Sequence, residues 1–189
     1  MQREVMWSPW DGPGTEHLRL QVDSSGIVAD GVVIGVAKGR PFRPRYEVRC
    51  DSDWRVRSVR VAEVGSKAPT IDLLADGEGR WTSRDGAAVP ELGGCVDVDL
   101  SMTPFTNTLP IRRLGLALEE SAQLSVAYIQ AGKTRAWAEP QRYTRLKSPL
   151  GGELYRYESL DSGFTADLLV DADGLVLDYP GLFRRAFSI

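Results

Sequence analysis

Short runs in which apolar and polar residues alternate dominate the chain, the period-two signature of strands with one buried face. Residues 17–22 (HLRLQV) alternate strictly, and 27–36 (IVADGVVIGV) form a β-branched run; Asp23-Ser24-Ser25-Gly26 supplies the turn between them. Residues 45–50 (RYEVRC) and 54–63 (WRVRSVRVAE) predict two more strands joined by Asp51-Ser52-Asp53. In the second, Val56 and Val59 fall on opposite faces of a regular strand, which predicts a bulge near Ser58. Residues 70–75 (TIDLLA) and 80–83 (RWTS) flank a hairpin turn, Asp76-Gly77-Glu78-Gly79. Residues 95–101 alternate again: Val96, Val98 and Leu100 face one way, and Cys95, Asp97, Asp99 and Ser101 the other. Three further strands are predicted over 153–160, 164–171 and 174–179, the last hairpin closed by Asp171-Ala172-Asp173-Gly174.

Helical signal is confined to residues 109–120 (LPIRRLGLALEE), a short helix started by Pro110 and weakened by Gly115. Gly31, Gly35 and Gly39 recur every four residues with no helix after them, so they form no dinucleotide fingerprint. In strands such glycines mark bends and bulges, which fits a sheet that curls. The expected architecture is mainly β: a single domain over residues 1–189, built as a strongly curved antiparallel sheet that forms a half-open β-barrel with one or two short helices.

Composition narrows the class. A chain of 189 residues with 42% hydrophobic residues can build a core without staples. Its formal net charge of -3 gives no general attraction to nucleic acid or anionic membranes. Cys50 and Cys95 sit in strand-like runs and read as buried, reduced thiols. The first residues (MQREVMWSPW) lack the apolar stretch of a secretory leader, and no run approaches the roughly 20 apolar residues of a membrane helix, so a cytoplasmic location and no membrane span are expected.

The most informative segment is 95–114, CVDVDLSMTPFTNTLPIRRL. Asp97 and Asp99 project from one strand face. A Pro-bounded loop with Thr103, Thr106, Asn107 and Thr108 follows, then Arg112 and Arg113. If the loop folds back, an arginine can grip a carboxylate with a bidentate fork. Two readings stay open at this point: a polar patch that hydrogen-bonds a polyhydroxylated head group, or an Asp–Arg network that pins the loop to the sheet.

This segment resembles the hallmark of a bacterial family described as putative glycolipid-binding. Glu16-His17, RYEVRCDSDW, Gln141-Arg142-Tyr143-Thr144 and the terminal DADGLVLDYPGLF add to the likeness, which spans about Trp7 to Phe183. The resemblance implies a β-rich fold similar to the half-open barrels of bacterial lipoprotein carriers and mycobacterial glycolipid-carrying lipoproteins. It carries no catalytic residues over to this chain.

Other groupings are weaker. His17, the only histidine, stands beside Glu16, which could orient it as a base, but no GxSxG elbow or Cys–His motif accompanies it. One histidine and two distant cysteines make no zinc site, and the Asp171–Gly174 turn lacks the rest of a calcium loop. Residues 38–60 hold eight basic side chains from Lys38 to Arg60 against three acidic ones, with Tyr46 and Trp54 between them. They form either an anion-binding patch or the solvated outer face of a sheet. Trp7 and Trp10 occupy a short N-terminal loop (WSPWDGPG) and either line a barrel mouth or plug it.

The expected function is non-enzymatic binding of a glycolipid or other amphiphile in a β-barrel cavity. The site residues are Asp97, Asp99, Asn107, Arg112, Arg113, Trp7, Trp10 and Tyr143. No cofactor, metal or nucleic-acid partner is expected. Two alternatives stand beside this: a small hydrolase or sugar-modifying enzyme that uses Asp97 and Asp99, or an interaction module with no small-molecule ligand.

Overall fold

The alternating segments pair into one sheet of 15 strands in the computed structural model, which describes residues 1–37, 39–148 and 151–189. Its first half comprises β1 (Gln2–Pro9), β2 (Gly14–Asp23), β3 (Gly26–Ala37), β4 (Arg40–Phe42), β5 (Pro44–Cys50), β6 (Val56–Glu63), β7 (Ile71–Ala75) and β8 (Trp81–Ser83). Then come β9 (Asp97–Leu100) and α1 (Thr108–Leu114). The second half comprises β10 (Ser121–Ile129), β11 (Trp137–Leu146), β12 (Glu153–Ser159), β13 (Thr165–Val170), β14 (Val176–Tyr179) and β15 (Phe183–Ser188). The order is β8-β7-β6-β5-β3-β2-β1-β15-β14-β13-β12-β11-β10-β9, with β4 paired to β3, so β1 and β15 join the two halves.

The expected curved sheet is present, and it does not close. Its pairings are antiparallel except at the edge, where β9 runs parallel to β10. The opposite region bends round far enough for the Val56 amide to donate to the Val96 carbonyl (3.3 Å) and for Trp81 Nε1 to donate to the Cys95 carbonyl (2.7 Å). Register breaks at Met6/Trp7, Arg49/Cys50 and Leu169/Val170 add local twist to the curl. The second is the predicted bulge. Arg49 pairs with Ser58 and Cys50 with Val56, so Arg57 is the extra residue and both Val56 and Val59 point inward.

Several expectations change. Trp7 belongs to β1 and is buried; only Trp10 remains in the bend, 43% exposed. Gly31 and Gly35 sit in an unbroken β2–β3 ladder and mark no bulge. A Cβ on Gly31 would lie 2.3 Å from the Tyr46 ring, and one on Gly35 3.0 Å from the Phe42 ring, so both glycines make room for aromatics laid across β3. The helix starts at Thr108, ahead of Pro110, and Gly115 ends it in a left-handed cap (φ +55°). Strands β1, β10, β11 and β15 replace segments with no clear alternation.

Two apolar clusters fill the inside. One gathers Val, Leu, Ile and Trp side chains of β1–β6 with Leu100, Phe105 and Leu109; the other joins Ile111 and Leu116 to Tyr143, Tyr155, Tyr157 and Tyr179. Cys50 and Cys95 are buried and free, and burial, with the charge of Asp97 added, pushes both thiols up, which makes them inert.

Candidate ligand-binding site

The segment from Met102 to Ile111 is buried throughout and forms a plug inside the curled sheet. Two turns of chain, a 3-10 turn over Phe105–Asn107 and then α1, carry it from the edge strand into the interior. Local hydrogen bonds hold it: the Thr103 hydroxyl accepts the Phe105 amide (3.0 Å), Asn107 Nδ2 donates to the Pro104 carbonyl (3.2 Å), and the Thr108 hydroxyl donates to the Gly174 carbonyl (2.9 Å).

The two aspartates of β9 have different fates. Asp97 is fully enclosed, and Arg113 returns from α1 to donate to both of its oxygens, Nε at 3.0 Å and Nη2 at 2.6 Å. Burial pushes this carboxyl up and the guanidinium opposes the push. Asp99 has no arginine partner among the described residues. It accepts from Gln141 Nε2 (2.7 Å) and the Thr106 hydroxyl (3.2 Å), and burial, with a contribution from the charge of Glu139, pushes its carboxyl up to about 6.

Above the plug the sheet leaves a hollow with two lobes. The larger, about 840 Å3, lies between β1–β4 and the loops at Ser101–Met102 and Gln130–Lys133; Trp7, Val33, Ile34, Phe42 and Met102 give it its apolar wall. The smaller, about 250 Å3, is lined by Asp99, Asn107, Tyr128, Glu139, Tyr157 and Tyr179. Ser101 and Phe183 belong to both, so the lobes adjoin. Together they offer an apolar wall beside one of carboxyl, amide and phenol groups.

Of the residues singled out from the sequence, Asp99 and Asn107 line the smaller lobe, and Tyr143 stands behind it, buried, its hydroxyl donating to Asn107 Oδ1 (2.9 Å). Trp7 lines the larger lobe and donates from Nε1 to the Val176 carbonyl (2.8 Å). The Asp97–Arg113 pair lies outside both lobes. Arg112 is exposed, its guanidinium 5.6 Å from the centre of the Trp54 ring, and Trp10 is covered by Arg184 at 5.8 Å. His17 points outward to Glu4 (3.0 Å), and Glu16 points inward, as neighbours on a strand must.

Sequence reasoning passed over Glu139, Tyr128, Tyr157, Tyr179 and the cavity role of Glu16. The signal for Glu16 was present: it shares a face with Leu18 and Leu20, and an acid on an apolar face is the informative exception. The basic stretch turns outward, with Arg45 on Asp30, Arg49 on Glu47 and Arg60 on Asp72; Lys38 lies outside the described residues. A further hollow of about 400 Å3 flanks this charged outer face. Among the described residues no cluster of three or more His, Cys, Asp or Glu could hold a metal ion, and no helix is long and apolar enough to cross a membrane.

The sequence profile of the family described as "Putative glycolipid-binding" matches residues 4–185. The chain belongs to this family. A crystal structure of a DUF1089 family protein from Pseudomonas aeruginosa is 41% identical and superposes with a TM-score of 0.80, over 93% of this chain and 95% of that one. No curated protein matches the sequence. The match includes both lobes and the plug beneath them.

Proposed function

We propose that the protein binds an amphiphile of the glycolipid kind without transforming it. The apolar portion lies in the larger lobe and the hydroxylated head group in the smaller. The observation that carries this reading is the junction of the two walls at Ser101 and Phe183. A volume of about 840 Å3 falls within the roughly 300–1,000 Å3 of small-molecule pockets. Each methylene withdrawn from water there contributes about 0.8 kcal/mol, so a chain of moderate length supplies most of the affinity. The head group is then oriented by Asp99, Asn107 and Glu139, together with the hydroxyls of Tyr157 and Tyr179, for which no hydrogen-bond partner exists among the described residues. Trp10 at the bend and the Asp97–Arg113 pair beneath the plug support the site from outside it, and Arg112 steadies the turn at Ala172.

Native mass spectrometry of freshly purified protein, followed by solvent extraction, tests the reading. Co-purifying lipid or glycolipid, displaced by Val33→Trp, is the expected result. A protein that carries no lipid and takes up none when offered refutes it.

One observation favours a second reading. Asp99, pushed up to about 6, shares the smaller lobe with Glu139, and such a pair can divide acid and base roles in cleaving a glycosidic bond or an ester. Turnover of chromogenic glycosides or esters that Asp99→Asn abolishes would favour catalysis over simple binding.

A further inference from the structure

The inward row of β2 begins with an acid. Glu16 pairs across the sheet with Trp7 on β1 and Val33 on β3, and all three line the larger lobe. The Glu16 residue is 2% exposed. Oε1 accepts two hydrogen bonds, from the Tyr46 hydroxyl at 2.5 Å and the Thr103 hydroxyl at 2.7 Å. Oε2 is buried and has no partner among the described residues. No basic side chain among the described residues pairs with it.

Each of the two donors is placed for the purpose. Tyr46 reaches Glu16 because Gly31 lets its ring lie flat over β3. The Thr103 oxygen already accepts the Phe105 amide, which leaves its own hydrogen for Glu16. With Oε1 supplied twice, the proton of a neutral carboxyl belongs on Oε2. Burial favours that neutral form, pushing the group up to about 8 against the pull of the two hydroxyls. One orphaned donor therefore sits in the wall of the larger lobe beside Trp7 and Val33, enclosed there and not open to solvent, and an unmet donor of this kind costs about 1–3 kcal/mol.

We propose that Glu16 Oε2 donates a hydrogen bond to an ester carbonyl of the bound amphiphile and so fixes where the acyl chain meets its head group. The inference rests on the amphiphile reading above and adds the class of linkage: an acyl ester, as in an acylglycerol or an acylated sugar. An ester oxygen suits the place because it accepts and brings no hydrogen of its own. A hydroxyl would carry a hydrogen that the neighbouring Trp7 and Val33 side chains cannot accept, and an ammonium would call for an ionised carboxylate where the wall favours a neutral one.

Two matched probes test this on the full chain: monolaurin and 1-O-dodecylglycerol, which share the twelve-carbon chain and the glycerol and differ in the carbonyl. Titration calorimetry is expected to show monolaurin binding about tenfold more tightly, the worth of one well-placed hydrogen bond. Glu16→Gln keeps an N–H at the same place and an oxygen for Tyr46 and Thr103, so the preference is expected to survive. Glu16→Met, checked for folding by circular dichroism, is expected to bring the ester down to the level of the ether. Equal binding of the two probes by the unaltered protein, or loss of the preference in Glu16→Gln, overturns the inference and leaves the amphiphile reading standing. Tighter binding of dodecylamine than of either probe, lost in Glu16→Gln, overturns it in favour of an ionised anchor. Failure of every probe to bind removes the amphiphile reading and the inference together.

Discussion

Strands β1–β8 and strands β10–β15 both turn one face inward, yet they line it with different chemistry. The first half presents Val5, Leu18, Leu20, Ile27, Val48 and Val59, closely packed; the second presents Tyr143, Tyr155, Tyr157 and Tyr179. Five of the six tyrosines belong to the second half. Aliphatic rows need nothing but neighbours, so these side chains pack against one another, and the first half contributes to the hollow only along β1–β4. Buried tyrosines need partners for their hydroxyls, so the second half recruits polar groups: Asn107 for Tyr143 and Glu153 for Tyr155. Where the two linings meet, the hollow inherits one wall from each. The contrast teaches that an amphiphilic cavity needs no special loop; it follows from giving two halves of one sheet different inward residues.

The largest expected effect comes from cutting the tie between the plug helix α1 and the edge strand β9 on which the two linings meet. Arg113→Ala leaves the Asp97 carboxylate enclosed and unpaired, and urea unfolding is expected to show a loss of about 3–5 kcal/mol. A loss below about 1 kcal/mol would mean that the pair does not hold the plug.

Next is pH. Burial raises Glu16 to about 8, from 4.5, and Asp99 to about 6, from 3.8. A raised acid favours the fold while it stays protonated. Its contribution is complete below the unfolded-chain value and drains away as pH climbs through the folded one. Stability is therefore expected to fall by a few kcal/mol between about pH 4 and about pH 8, with the part of the fall above about pH 6 belonging to Glu16 and so to the first half of the sheet. Glu16→Gln should flatten that later part, and Asp99→Asn should make the earlier part shallower, since both acids contribute there. Thermal melts that stay level over this range in the unaltered protein would contradict both assignments.

Gly31→Ala follows, at about 1–3 kcal/mol, because the new methyl meets the Tyr46 ring. Its fingerprint is separation of Tyr46 from Glu16, read as a changed pH profile as well as a lower midpoint. A drop in midpoint with the profile intact would show that the ring shifts without releasing the acid.

The smallest effect sharpens the contrast most. Tyr157→Phe removes one hydroxyl from the head-group lobe and is expected to weaken binding of a glycosylated amphiphile by about 0.5–1.5 kcal/mol, while an alkyl chain without a sugar is unaffected. Calorimetry with dodecyl maltoside against dodecane-based ligands measures the difference. Equal weakening of both would dissolve the division of labour between the lobes.

Much of the fold was legible because alternation is a local property. The β2–β3 hairpin, the bulge beside Ser58 and the turn at Asp171–Gly174 each follow from a few neighbouring residues, and each is present. Strands β10 and β11 escaped because Ser, Ala, Gln and Pro interrupt the pattern (SAQLSVAYI, WAEPQRYTRL), and their partners on either side supply the order. The site was legible only in part. Asp97 and Asp99 look equivalent, two residues apart on one strand; only the folded chain gives one an arginine and the other a cavity.

The sequence by itself determined the regularly alternating strands, most of their turns and their inward rows, because period-two alternation fixes which side chains share a face whatever the strand later pairs with. It also contained the oddity of Glu16 on an apolar face. Tertiary structure alone decided that β9 joins the sheet edge in parallel, that residues 102–111 fold inside as a plug, and that Glu16, Tyr46 and Thr103 meet. Those outcomes depend on contacts between residues 29 to 87 positions apart. No local pattern encodes them, since they are set by which surfaces remain to be buried once the curl has formed.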